Sequence, residues 1–320
     1  MKPLMVFGII LASILAIVVI LLFASRINHK NKLQKEAREF LPPGSIIEVD
    51  DNKIHVYATG EGETTLVFMA GHGTSSPTLD FKPLWSRLMD QYRIVVVEKS
   101  GYGWSDVSNS PRDIDTILEE TRKSLDFAGE KGPYVLAPHS MSGLEAIYWA
   151  QKYPDEVKAI VGLDPSIPET VELLPEPKNM QLRLLYYIAR IGLTRFMPES
   201  ETSRNLPLMD SNDLSEEDKH RYKALFYKST LTEDMLREVE YLKENGKTVE
   251  QGSTPKSIPM YFFISQQQDK RVNGWKDALL GYLSNIDTKK HMILDTEHYV
   301  HHDKSDLIAR EIKAFLSEIE

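Results

Sequence analysis

The chain opens on an apolar run, residues 4–24, interrupted only by Gly8 and Ser13. About 20 such residues span a bilayer as a helix. A charged stretch, 30–40, follows and reads as a helical or flexible stalk, until Leu41-Pro-Pro-Gly44 breaks it and marks a domain start. Residues 46–50 and 53–58 alternate apolar and polar around Asp51-Asn52, which predicts a hairpin with a type I′ turn. The pattern then changes to short continuous apolar runs at 65–70, 92–98, 134–137, 157–164, 259–264 and 290–295, each predicting a buried strand. Helical periodicity between them predicts helices over 77–90, 111–128, 142–152, 273–284 and 304–319. The last places Leu307, Ile308, Ile312, Phe315 and Leu316 on one face. Strands that run into glycine-rich loops and alternate with helices predict an α/β domain. Its sheet is mostly parallel, with functional loops at the carboxyl ends of the strands.

Residues 165–257 lack the strand–glycine pattern. They hold an apolar helical segment at 180–197, a charged one at 215–245, and proline-rich acidic loops at 168–178 and 198–215. Chemistry concentrates just ahead of this region, in Tyr134-Val-Leu-Ala-Pro-His-Ser140-Met-Ser-Gly143. An apolar strand that stops at a serine, with small residues opening a helix behind it, has the layout of a nucleophile elbow. Ser142 and Gly143 meet the demand for small residues in the crowded turn. Pro138 departs from G-x-S-x-G, although its fixed φ and missing N–H are tolerable at a strand end. Alone, such a serine reads equally well as a helix N-cap.

Three more strand-end loops accompany the elbow: Gly71-His72-Gly73-Thr74, Gly101-Tyr-Gly103-Trp-Ser105 and Thr296-Glu-His298. With these motifs in this order, the chain resembles the α/β-hydrolase family from about residue 45 to the C-terminus, excluding the central insertion. His72-Gly73 is similar to the family's HG oxyanion turn. Gly101 to Ser105 resembles its G-x-G-x-S loop, with Glu98 where an aspartate is common. The resemblance implies the α/β-hydrolase fold, a mostly parallel twisted sheet flanked by helices. Residues 45–164 and 258–320 would form the core, 165–257 a helical cap, 26–44 the stalk and 1–25 a transmembrane anchor. The family's order of serine, acid and histidine implies Ser140 as nucleophile and His298 as base. Asp269, after the seventh strand, is the expected acid. Asp164, at the end of the sixth, is the alternative, although Leu-Asp-Pro there also reads as a structural turn. The Met141 amide, at a helix N-terminus, and an amide of the Gly73-Thr74 turn, Thr74 foremost, are the expected oxyanion donors. Glu98 and Ser105 are expected to hold their loop. Leu184, Leu185, Tyr186, Tyr187, Ile188, Phe196 and Met197 are expected either to line an acyl pocket or to bury the cap's own core.

A net charge of −9 leaves no basic surface for nucleic acid. With no cysteine, disulfides, thiolate metal sites and a cysteine nucleophile are excluded. His298, His301, His302 and Asp303 crowd together, but adjacent histidines at a helix start are expected to point apart, so neither metal nor cofactor is expected. The apolar run is longer than a signal-peptide core and Leu22-Phe-Ala-Ser-Arg26 offers no small-x-small cleavage site, which favours an uncleaved anchor. Arg26, Lys30, Lys32, Lys35 and Arg38 follow the run and only Lys2 precedes it. The positive-inside rule then puts the folded domain in the cytoplasm, whereas single-span hydrolases with such anchors often face outward; both orientations stay open. The expected function is a membrane-anchored serine hydrolase acting on carboxylic esters or related acyl substrates through an acyl-enzyme. The bilayer and a small acyl molecule are its expected partners. Serine at the elbow argues against epoxide hydrolases and haloalkane dehalogenases, which use aspartate there. Amidase and aminopeptidase variants share the same residues, and a catalytically silent binding or sensor protein is the competing class.

Overall fold

The computed structural model describes residues 3–176 and 178–319, so Lys2, ahead of the apolar run, and Pro177, in the insertion, lie outside the described residues. One sheet of eight strands organises the molecule: β1 (Ser45–Val49), β2 (Asn52–Thr59), β3 (Thr65–Met69), β4 (Arg93–Glu98), β5 (Tyr134–Pro138), β6 (Val157–Leu163), β7 (Met260–Ser265) and β8 (Lys289–Leu294). Their order is β1-β2-β4-β3-β5-β6-β7-β8. The pairs β1–β2 and β2–β4 are antiparallel and all the others parallel. Parallel strands covered on both faces need apolar side chains at every position, and β3, β5 and β7 are buried along their whole length. Alternate side chains feed two cores: Val67, Leu136, Phe262 and Trp275 on one face, Phe68, Val161, Phe263 and Phe315 on the other.

Local chemistry moves some boundaries. The β1–β2 turn is centred on Asp50 and Asp51, at φ 48° and 63°, one residue earlier than the pattern predicts. Aspartate tolerates the left-handed region, and Asn52 instead starts β2 and donates to Ser100 Oγ at 2.6 Å. The helix expected over 77–90 is divided into Pro77–Asp80 and Lys82–Trp85, because Pro83 has no N–H to extend the ladder.

Between β6 and β7 the chain is helical, with Pro168–Leu173, Asn179–Arg190, Glu199–Asn205, Glu216–Ser229 and Glu233–Gln251. The apolar segment expected over 180–197 stops at Gly192, whose φ of 80° ends the helix in a left-handed turn. The charged segment expected over 215–245 divides at Leu231, φ 45°. The insertion's own core is Leu206, Leu208, Leu214, Tyr222, Leu225 and Phe226. Leu184, Leu185, Tyr187 and Phe196 are exposed, which corrects both expectations for them. Ala189 is buried and Arg190 bonds the carbonyls of Lys228 and Thr230, so this helix presents other residues inward.

The first helix runs unbroken from Pro3 to Glu39, so the stalk is helical. Among the described residues its apolar half is exposed, but from Ser25 onward it lies on the insertion. Ser25 Oγ donates to the carbonyl of Ile191 at 2.7 Å, and the Arg195 fork donates to both Glu36 oxygens at 2.7 and 2.6 Å and to His29 Nδ1 at 2.9 Å.

Candidate active site

Strand β5 ends at Pro138, the chain reverses through His139, Ser140 and Met141, and the helix Ser142–Lys152 departs. Ser140 sits at φ 53°, a conformation that non-glycine residues rarely adopt and that marks a site held by its surroundings. Its carbonyl accepts from Gly143 and from Ser166, at 2.9 and 2.7 Å. Gly71 lies so close that an added Cβ would come within 2.6 Å of Ser140 Cβ. Ser142, the other serine, is buried and donates to the carbonyls of Met69 and His139 at 2.6 and 2.9 Å, so it fastens the elbow to β3. Pro138 fits for a specific reason. The ladder to β6 covers Tyr134 to Leu136 and resumes only at a bridge between His139 and Leu163, so position 138 owes it no donor. His139 supplies the N–H that reaches Met69 O, at 3.0 Å.

His298 follows β8. Its Nδ1 donates to Asp164 Oδ2 at 2.6 Å. Asp164 ends β6, is fully buried, and its Oδ1 accepts from Ser265 N and Trp275 Nε1, each at 3.0 Å. Three donors therefore fix this carboxylate, leaving Nε2 of His298 to exchange a proton. The carboxylate on the histidine is Asp164 and not Asp269, which corrects the sequence expectation. After β7 the chain enters a short helix, Gln266–Arg271, and Asp269 accepts from the backbone of Lys276 at 2.9 Å, capping the helix Trp275–Ser284 instead.

The expected oxyanion donors lie beside this pair. Met141 begins the elbow helix, whose dipole favours negative charge. Gly73 turns at φ 81° with open space where a Cβ would stand, and its amide faces the Tyr102 hydroxyl. Among the described residues the Thr74 and Met141 amides enter no hydrogen bond. A cavity of about 930 Å³ opens beside Gly73 and Thr74, lined also by Asp80, Leu208, Phe226, Tyr299 and His302, with Ser140, Met141 and His298 outside its lining.

Sequence reasoning missed two supports. His301 and His302 both reach one carboxylate rather than pointing apart: their Nε2 atoms donate to Asp80 Oδ2 and Oδ1 at 3.2 and 3.1 Å, and Tyr222 adds a third bond. Burial opposes ionisation of Asp80, yet the two imidazoles hold its carboxyl well below the usual range, while burial pushes His301 down to about 4. The three ligand atoms lie within 4.8 Å of one another, a donor set that also suits a divalent cation. The cluster ties the histidine loop to the segment that follows Thr74. His139 packs against His298 with ring centroids 4.7 Å apart and the planes tilted by 45°, and burial, then the neighbouring imidazoles, keep it neutral. The second support is Glu238 from the insertion. It is buried among Tyr102, which donates to it, Arg112 at 3.3 Å, Lys99 at 3.6 Å and His72 at 3.7 Å. Burial opposes its ionisation, but Lys99, His72 and Arg112 hold its carboxyl well below the ordinary value. Glu98 accepts from Thr78, Trp104 and His55, and Ser105 donates to the Glu98 carbonyl, so both hold their loop as expected.

Comparison with known proteins identifies the fold. The profile of the alpha/beta hydrolase fold matches residues 73–316. The uncharacterized protein YbdG of Bacillus subtilis (strain 168) is 38% identical over 268 residues, 83% of this chain and 82% of that protein. A 2-(acetamidomethylene)succinate hydrolase of Mesorhizobium japonicum is 29% identical over 123 residues, 37% of this chain and 41% of that one. Among solved structures, the enol-lactonase of Burkholderia xenovorans LB400 superposes with a TM-score of 0.60 at 14% identity, covering 85% of this chain and all of that one.

Proposed function

This chain belongs to the α/β-hydrolase family, and from that premise we propose that it is a membrane-anchored serine hydrolase cleaving carboxylic esters or related acyl substrates through an acyl-enzyme. The observation that carries the reading is the Asp164–His298 pair at 2.6 Å, with the His298 ring 4.7 Å from that of His139, the residue before Ser140 in the elbow. Ser140 Oγ attacks the acyl carbon and gives its proton to His298 Nε2, while Asp164 holds the imidazole tautomer and stabilises the imidazolium. The amides of Met141 and Thr74 take the developing oxyanion. Collapse expels the alkoxide, which leaves with the proton from His298. Water then attacks the acyl-serine by the same base, releasing the acid and restoring Ser140. Support over the catalytically silent alternative comes from Pro138, which the strand accommodates, and from a fully bonded acid. Anchoring rests on the first helix, whose apolar window has a mean hydropathy of 3.2 and no buried share.

Turnover of a p-nitrophenyl ester by the full chain in detergent tests the chemistry. Ser140→Ala should lower kcat by about a million-fold while KM holds. Wild-type turnover at the rate of that variant would overturn the proposal.

A further inference from the structure

The helix Asn179–Arg190 exposes Met180 (86%), Leu184 (61%) and Tyr187 (60%), and Phe196 just beyond it is 67% exposed. Positions 180, 184 and 187 fall on one helical stripe. None of these side chains lines the cavity beside Thr74, and none belongs to the insertion's buried core. They are apolar surface with neither of the uses expected of them. Contiguous exposed apolar patches mark interaction sites.

Their place says what covers them. The helix ends at Arg190, and the next carbonyl, of Ile191, accepts from Ser25 Oγ at 2.7 Å. Ser25 directly follows the last residue of the apolar run, so this contact sits where a bilayer-spanning helix would leave the hydrocarbon. At 1.5 Å per residue, Tyr187, Leu184 and Met180 are at most about 6, 10 and 16 Å along the axis from Ile191, so Tyr187 and Leu184 stay near the interface whichever way the helix runs, and Met180 does so with the helix lying along it. The headgroup layer is roughly 5–7 Å deep on each side, and interfacial helices bury their apolar face about 5–10 Å into it. The join is stiff as well as close. His29 packs against Gly192, and Arg195 is forked to Glu36, so the first helix cannot swing independently of this corner.

We propose that the stripe Met180, Leu184 and Tyr187, with Phe196, is a lipid-docking face that seats the insertion in the membrane interface beside the anchor. The inference rests on the anchoring reading above.

The absence of native cysteine allows single nitroxide labels in the full chain. Met180→Cys, Leu184→Cys and Tyr187→Cys are reconstituted in phosphatidylcholine–phosphatidylglycerol vesicles and compared for collision with oxygen and with a water-soluble nickel chelate. Ile14→Cys reports the span, and Phe127→Cys, 59% exposed on the distant helix Ile114–Phe127, reports bulk water. The expected result is oxygen-favoured collision at 180, 184 and 187, intermediate between positions 14 and 127. A lipid-exposed label at 14 with chelate-favoured labels at 180, 184 and 187 overturns the docking face and leaves the anchor standing. Labels there shielded from both reagents would mean a protein partner or a second copy, and also overturn it. A water-exposed label at 14 overturns the anchor and this proposal together.

Discussion

Asp164 is bound on both oxygens, by His298 on one and by Ser265 and Trp275 on the other. An asparagine there could satisfy the backbone donor only by presenting its amide N–H₂ to His298, which would stabilise the wrong imidazole tautomer. Asp164→Asn should therefore lower kcat/KM for an activated ester by about ten-thousand-fold. Asp269→Asn keeps an oxygen for the Lys276 N–H and should change it less than about threefold; the reverse ranking in steady-state kinetics would restore Asp269 as the acid. His301 makes a pH prediction. Its folded value of about 4 lies below the ordinary 6.5, so the unfolded chain binds the proton more tightly. Stability should fall as pH drops from 6.5 toward 4, by roughly 3 kcal/mol from this group. Asp80, held low by the same imidazoles, extends the loss to lower pH. Urea midpoints at pH 7 and pH 4.5 measure the drop, and His301→Gln should flatten it. An unchanged slope in that variant would assign the loss elsewhere.

The helix Glu233–Gln251 reaches the loops around the site. Through Glu238 it places a carboxylate against Tyr102, Arg112, Lys99 and His72, and His72 precedes the turn that carries Thr74. Removing one charge from such a buried set leaves its partners uncompensated. Glu238→Gln should cost about 3–5 kcal/mol in urea unfolding at pH 7; a loss below ~1 kcal/mol would mean that Arg112 and Lys99 are satisfied by Glu120 and Glu145 alone. This network was invisible in the sequence, since Glu238 sits in a charged helix where the buried acids, Asp234 and Glu238, alternate with exposed ones such as Glu233 and Glu240 and nothing local tells them apart. The same applies to Asp80, which is 221 residues from His301. Neighbouring imidazoles converge only because the fold supplies one carboxylate between them. The elbow was legible for the opposite reason. Strand, serine, small residues and helix are all local, and Ser142 and Gly143 each have a contact that requires a small side chain.

At the scale of the whole molecule, the alternation of apolar runs with helical periodicity was enough to read the sheet, its parallel centre and the helical insertion. Which aspartate meets His298 was not, because both follow a strand, and the choice depends on Trp275 and Ser265 closing over β6. The outward stripe on Asn179–Arg190 was misjudged because periodicity reports an apolar face without saying what lies against it. In the proposed mechanism one residue, Ser140, is the nucleophile. The most direct test is peptide mapping by mass spectrometry after brief treatment of the full chain with a fluorophosphonate. The expected result is one phosphonyl adduct, on Ser140, with labelling slowed at least about a thousand-fold in Asp164→Asn and unaffected in Asp269→Asn. An adduct on Ser142, or none at all on the folded protein, would contradict it.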